Sequence, residues 1–132
     1  MKMLVDTGAL LALVLKKDQH HARAAAFLQQ QRSARFVLTN LILAETVTRL
    51  RARVDAAFAA DAGRSLLAGR RYEVIFVDAP LVTSALARLE QFADKQLSLT
   101  DCVSFEVMDR LGLATAFAFD TDFRDCGYHM VP

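Results

Sequence analysis

The chain has little cysteine and no long apolar run, and both absences narrow what it can be. Two cysteines, Cys102 and Cys126, cannot build the disulfide framework of a small secreted protein. They also lack the paired spacing of a zinc site, so they are expected as reduced thiols in or near the core. The hydrophobic fraction of 54% is high, yet no apolar stretch approaches the roughly 18 residues that a membrane-crossing helix needs. The longest, 8–15, begins two residues after Asp6 and ends at Lys16 and Lys17. A secretory leader would need a basic start, a longer apolar stretch and a small-residue cleavage site. Asp6 interrupts that pattern, so the N-terminal segment reads as strand and helix, and the expected location is cytoplasmic, with no membrane partner. No low-complexity tract, repeat or linker is present, and residues 1–132 are expected to form a single domain with one core.

A net charge of +1 is uninformative until it is partitioned. If four acids share one pocket, eleven remain elsewhere against sixteen basic residues, leaving a basic surface suited to a polyanion. Twelve of those bases are arginine, the better residue for phosphate forks and base stacking. Arg49, Arg51, Arg53, Arg64, Arg70 and Arg71 crowd one stretch that also holds Asp55 and Asp61 but no glutamate. That stretch is a candidate nucleic-acid contact or, more plainly, a solvated helical face.

Short strand-like runs alternate with longer helical ones. Strands are expected over 2–5, 35–38, 72–77 and 114–119, with a fifth at the edge over 129–131. Helices are expected over 8–15, 20–31, 40–53, 55–68, 79–92 and 98–111. Thr39 or Asn40 would cap the third, Pro80 sits in the first turn of the fifth, and Gly69 and Gly112 mark ends. Alternation of this kind predicts an α/β fold with a central, mostly parallel sheet of four or five strands flanked by helices. In such sheets ligand sites form at the carboxyl ends of the strands.

Four acids far apart in sequence fall at that edge. Asp6 follows the first strand and Asp120 the fourth, while Glu45 and Asp101 lie near the starts of helices that open from the same side. Each also has a plainer reading. Asp6 could cap the helix behind it, and Asp120 and Asp122 could be turn residues. Asp101 stands three residues after Ser98, as in a capping box, and Glu45 stands four before Arg49, as in a helical ion pair. Taken together the plain readings fare worse. Leu41 and Ile42 flank Glu45 on its own helix face, which turns the carboxylate inward, and a buried carboxylate is costly unless it is paired or metal-bound. Several like charges at one place would raise one another's pKa, and a divalent cation removes that conflict. An all-oxygen donor set selects Mg²⁺ or Mn²⁺. The chemistry expected is in-line hydrolysis of a phosphodiester. Asp6 and Asp101 are the principal candidate ligands, Glu45 and Asp120 further ligands or water-orienting groups, and Asp122 an accessory.

The segments 4–12 (LVDTGALLA), Thr39-Asn40 with Glu45-Thr46, 97–105 (LSLTDCVSF) and 118–123 (AFDTDF) resemble the PIN domain, and more narrowly the VapC-type toxin ribonucleases. The resemblance covers essentially the whole chain, in the usual order and spacing. It implies a PIN-like fold, an Mg²⁺ or Mn²⁺ site at Asp6, Glu45, Asp101 and Asp120, and a hydroxyl helper at Thr7 or Ser98. It further implies an RNA substrate, a homodimer, and a cognate antitoxin that blocks the site with a peptide. No acid of the pattern is missing.

Other residues carry less. His20, His21 and His129 are expected as surface or boundary histidines, and Phe117, Phe119 and Phe123 as strand-alternating core rather than a base-stacking surface. Ser104 and Cys102 have no histidine partner for acyl transfer. A phosphoacceptor domain would want an adjacent acidic pair after the first strand, but Asp6 stands alone; Asp78 could imitate its acceptor, and Lys95 is poorly placed for its lysine. The remaining alternative is a PIN-like module that grips RNA or a protein without cutting.

Overall fold

The computed structural model describes residues 1–132. The elements run β1 (Lys2–Val5), α1 (Thr7–Val14), α2 (His21–Gln30), β2 (Arg35–Thr39), α3 (Asn40–Arg53) and α4 (Ala56–Ala68). They continue with β3 (Tyr72–Ile75), α5 (Ala79–Gln91), α6 (Leu99–Leu111), β4 (Thr115–Phe117), α7 (Asp122–Asp125) and β5 (His129–Val131). The five strands form one sheet in the order β3-β2-β1-β4-β5, every pair parallel. The expected α/β class and parallel sheet are both present, with β5 at the edge.

The strand sequences explain why the sheet lies inside. Met3, Leu4 and Val5 are buried in succession, as are Phe36, Val37 and Leu38. Consecutive burial without polar alternation means that both faces are covered. Phe117 and Phe123 are fully buried, as expected of core residues, and Phe36 and Phe117 meet with ring centroids 5.8 Å apart. Cys102 is buried, Cys126 is half-buried, and both are free thiols. No helix is long and apolar enough to cross a membrane.

Helix ends follow the sequence signals. Thr39 Oγ1 accepts the Ile42 amide, Asp55 caps α4 and Asp78 caps α5, with Pro80 in its first turn. Gly112 closes α6 in the left-handed conformation at φ 66°, which glycine adopts without a Cβ penalty. Two strands are shorter than expected. β3 ends at Ile75, and the amide of Val77 donates instead to Asn40 Oδ1. β4 ends at Phe117, although the Ala118 amide still reaches Val131 O at 3.1 Å.

Topology places the site. The chain builds outward from β1 to β2 and β3, then crosses back so that β4 lies on the other side of β1. The order reverses between β1 and β4, and crevices for ligands open at such a reversal, beyond the carboxyl ends of the strands. Val5 pairs with Phe117, and the Asp6 amide donates to Phe117 O at 3.0 Å. Asp6 therefore leaves β1 beside the end of β4, while Asp120, expected directly after that strand, follows three residues beyond Phe117 because β4 is shorter than expected.

Candidate active site

Asp6 occupies the N-cap position of α1, yet its side chain caps no amide. The capping reading therefore fails for the most buried acid in the chain, which is 8% exposed. Burial raises its pKa from 3.8 to about 7; Asp101 adds to the rise, the Thr7 amide opposes it, and Asp120 and Glu45 push it further up. The same three acids singled out in the sequence are thus close enough to repel it. Asp101, Asp120 and Glu45 lie within electrostatic reach of Asp6, which sits at the β1–β4 reversal.

The other three have protein partners, and these fit the plainer readings as well. Ser98 and Asp101 form a reciprocal capping box: the Ser98 amide donates to Asp101 Oδ2, and the Asp101 amide to Ser98 Oγ, both at 3.0 Å. Glu45 Oε1 pairs with Arg49 at 3.2 Å, and its side chain is 31% exposed. The carboxylate is half-buried rather than turned fully inward, because Ile42 alone is buried while Leu41 is half-exposed. Asp120 Oδ1 accepts the Asp122 amide at 2.9 Å and so opens the short helix α7. A carboxylate has two oxygens and about four lone-pair directions, so a cap or ion pair on one oxygen leaves capacity for a further partner. The cap holds the Asp101 carboxylate in one orientation.

The tightest grouping is Asp101, Asp120 and Asp122, which can bring one ligand atom each within 4.8 Å of one another. Asp122 stands here as a full member of the cluster. Burial raises the pKa of Asp101 against the lowering contacts from Ser98, and Asp120 and Asp122 raise it further. Burial likewise raises Asp122, followed by Asp120 and Asp125, while Lys95 lowers it. Lys95, unpromising in the sequence, therefore lies within electrostatic reach of the cluster. It could be found only from the fold, since 27 positions separate it from Asp122 in the chain.

A hard divalent cation fits these residues on two counts. The donors are all oxygen, and their mutual repulsion is relieved by positive charge. Thr7 Oγ1 is also buried beside Asp6 without a hydrogen-bond partner, as is Thr46 Oγ1 further along α3. An orphaned buried hydroxyl costs stability unless something completes its bonding. At Thr7 a hydrated ion would do so.

The arginine stretch is divided by the fold. Arg49 lies beside Glu45. Arg71 donates to the carbonyls of Ala34 and Gln31 and lies over the Phe36 ring, which ties it to the chain's own turn before β2. Arg64 pairs with Asp61. Arg51, Arg53 and Arg70 are exposed, and Arg53 lines a groove with Lys16 and Lys17 at the far end of α1. At a rise of about 1.5 Å per residue, Arg51 and Arg53 stand roughly 9 and 12 Å beyond Glu45 along α3. The largest cavity, about 650 Å³, is not at the acids at all. It is an apolar cleft between α1, α2, α3 and α4, lined by Leu10, Leu13, Leu50, Phe58 and Leu66 among others. The acids lie beyond the carboxyl ends of the strands instead, with Asp6 buried, Asp101 half-buried and Asp120 exposed.

The PIN domain family pattern matches residues 3–127. The chain is similar to the 23S rRNA-specific endonuclease VapC20 of Mycobacterium tuberculosis, at 34% identity over 128 residues, covering 96% of this chain and 95% of that protein. The crystal structure of M. tuberculosis VapC20, a sarcin–ricin loop cleaving toxin, superposes with a TM-score of 0.87 at 30% identity, over 96% of this chain and 95% of that one. FitAcB of Neisseria gonorrhoeae superposes at a TM-score of 0.69 and 15% identity, over 100% and 97% of the two chains. VapBC2 of Rickettsia felis, bound to a DNA fragment from its promoter, gives 0.67 and 13%, over 98% and 97%. At those identities the last two show the fold alone.

Proposed function

The chain belongs to the PIN domain family, and on that premise we propose that it is a metal-dependent endoribonuclease, the toxin of a VapBC-type toxin–antitoxin pair. The observation that carries this reading is the convergence of Asp6, Glu45, Asp101 and Asp120 at the β1–β4 reversal, with Asp6 driven up to about pKa 7 by burial and its acidic neighbours. Carboxylates gathered so closely, with Thr7 left unpartnered among them, are costly without a cation and useful with one.

Asp6 and Asp101 are the principal ligands in this reading, for Mg²⁺ or Mn²⁺. Glu45 and Asp120 complete the set or orient the attacking water, and Asp122 assists from the start of α7. Bound there, the ion supplies Lewis-acid polarisation of the phosphate and a more acidic water. Water attacks phosphorus in line, one P–O bond breaks, and the strand is cut. Ser98 holds Asp101 in place through the capping box. Thr7 offers its hydroxyl beside Asp6. Arg49, Arg51, Arg53 and Arg70 are assigned to the RNA-facing side, with Arg49 nearest the acids; Arg71, named with them from the sequence, is committed to the carbonyls of Ala34 and Gln31 and leaves that set.

Ribosomal RNA is the substrate class of choice, given VapC20's action on 23S rRNA and the extent of the likeness. The domain comprises residues 1–132, acts in the cytoplasm as a homodimer, and is restrained by an antitoxin. The antitoxin restrains it by inserting a peptide that blocks the acidic site. The test is incubation with purified ribosomes and 23S rRNA in Mn²⁺, with mapping of the new RNA ends. Discrete cuts abolished by EDTA support the reading. RNA binding without any cut in either ion would favour the non-cleaving module.

A further inference from the structure

A second groove shares a turn with the acidic cluster and has the opposite character. It is a cavity of about 440 Å³ lined by His20, Arg23, Phe119, Thr121, Arg124 and His129 among others, with no aspartate or glutamate in its lining. Phe119 and Thr121 flank Asp120 on either side, and successive Cα atoms are only about 3.8 Å apart. The groove therefore opens next to the acids.

Its floor is an aromatic platform. The His20 and Phe119 rings are stacked at 4.2 Å between centroids and 3° from parallel, joining the start of α2 to the end of β4. The Arg23 guanidinium stands 5.6 Å from the Phe119 centroid and donates to Pro132 O at 3.2 Å. Phe119 is half-buried while Phe117 and Phe123 are fully buried, so it alone of the three is offered to the groove. The sequence pattern had assigned all three to the core.

We infer that this groove is the subsite for a nucleotide flanking the scissile phosphate, its base stacked on the His20–Phe119 platform and its phosphate held by Arg23 and Arg124. An anionic strand crossing a carboxylate cluster needs compensating cations close by, and here two arginines stand within one cavity. Planar rings beside arginines suit single-stranded nucleic acid, because every base has a π-face to stack. The inference rests on the ribonuclease reading for the identity of the polymer.

The experiment measures binding of a labelled single-stranded RNA oligonucleotide in EDTA by fluorescence polarisation, together with KM and kcat in Mn²⁺ and melting temperature for each variant. His20→Ala is expected to weaken binding about tenfold, the loss of one stacking contact, and His20→Phe to restore it. Arg23→Gln with Arg124→Gln is expected to flatten the salt dependence by one to two units of slope, as roughly two phosphate contacts are lost from a single strand. KM should rise in all but His20→Phe, with kcat little changed. Wild-type cleavage with unaltered affinity and KM in the variants overturns the subsite and leaves the nuclease standing. Affinity lost in the variants of a protein that cuts nothing supports the groove and sinks the nuclease. A wild type that neither binds RNA in EDTA nor cuts it in Mn²⁺ overturns both. A lowered melting temperature in His20→Ala passes the decision to the exposed Arg124, whose single substitution should still reduce the salt slope; an unchanged slope counts against the subsite.

Discussion

At the residue scale the account turns on Asp6. Its carboxyl is shifted upward from 3.8 to about 7, so between those values the folded chain binds a proton that the unfolded chain has released. Stability of the metal-free protein should therefore fall as pH rises from about 4 to about 7 and level off above, by up to roughly 4 kcal/mol. Asp101 and Asp122, also raised, act in the same direction. Asp109, held low by Tyr128 and Arg88 despite some burial, contributes stability that is constant above its ordinary value and lost only as pH falls below it, so it leaves this window untouched. Urea unfolding in EDTA at pH 5 and pH 8 measures the difference. Asp6→Asn should remove most of that slope and be the more stable protein at pH 8. Equal slopes in both proteins would mean that Asp6 is solvated rather than buried. The identity of the acids was legible in the sequence because strand ends and helix starts are marked by local signals. Their ranking was not. Asp122 joins the tight trio through the turn that Asp120 makes with its amide, a three-dimensional fact with no periodic signature.

At the element scale, α6 links stability to the site. Its capping box orients Asp101 while satisfying two backbone amides. Ser98→Ala should cost about 1 kcal/mol in chemical denaturation and also lower the cleavage rate, since the freed carboxylate samples other rotamers. A cap without function would show only the first effect. Gly112→Ala, at the other end of the same helix, has room for its Cβ but must adopt positive φ, and should cost about 1 kcal/mol with the cleavage rate intact. The major strands and helices could be read from β-branched runs, caps and glycine stops. The short helix α7 could not: four residues show no helical period, and Asp122-Phe123-Arg124-Asp125 reads equally well as a turn. The ends of β3 and β4 were also overextended, because Phe76, Val77 and Phe119 have strand propensity but leave the ladder to meet solvent, Asn40 and His20 respectively.

At the scale of the molecule, the crossing from β3 to β4 puts Asp6 and Asp120 past the ends of neighbouring strands and creates the crevice between them. Parallel order was predictable from alternation, but the strand order had to be seen. Neutralising Arg51, Arg53 and Arg70 together should reduce the salt slope of RNA binding by roughly two units. No change would assign them to a solvated face or a contact between copies. Binding of a cation at the crevice should stabilise the whole fold. At a hundredfold excess over its Kd, Mn²⁺ should add about 2.7 kcal/mol, a rise in melting temperature on the order of 10 °C. An unchanged melting temperature at saturating ion would count against a preformed site.

The most direct measurement is the initial rate of RNA cleavage in Mn²⁺ by the wild-type protein, Asp6→Asn and Asp101→Asn, each confirmed folded by its melting curve. The account predicts discrete, EDTA-sensitive cleavage by the wild type and a rate lowered at least a hundredfold in each variant. Wild-type rates in both variants would contradict it, because the strand would then be cut without the carboxylates that the sheet brings together.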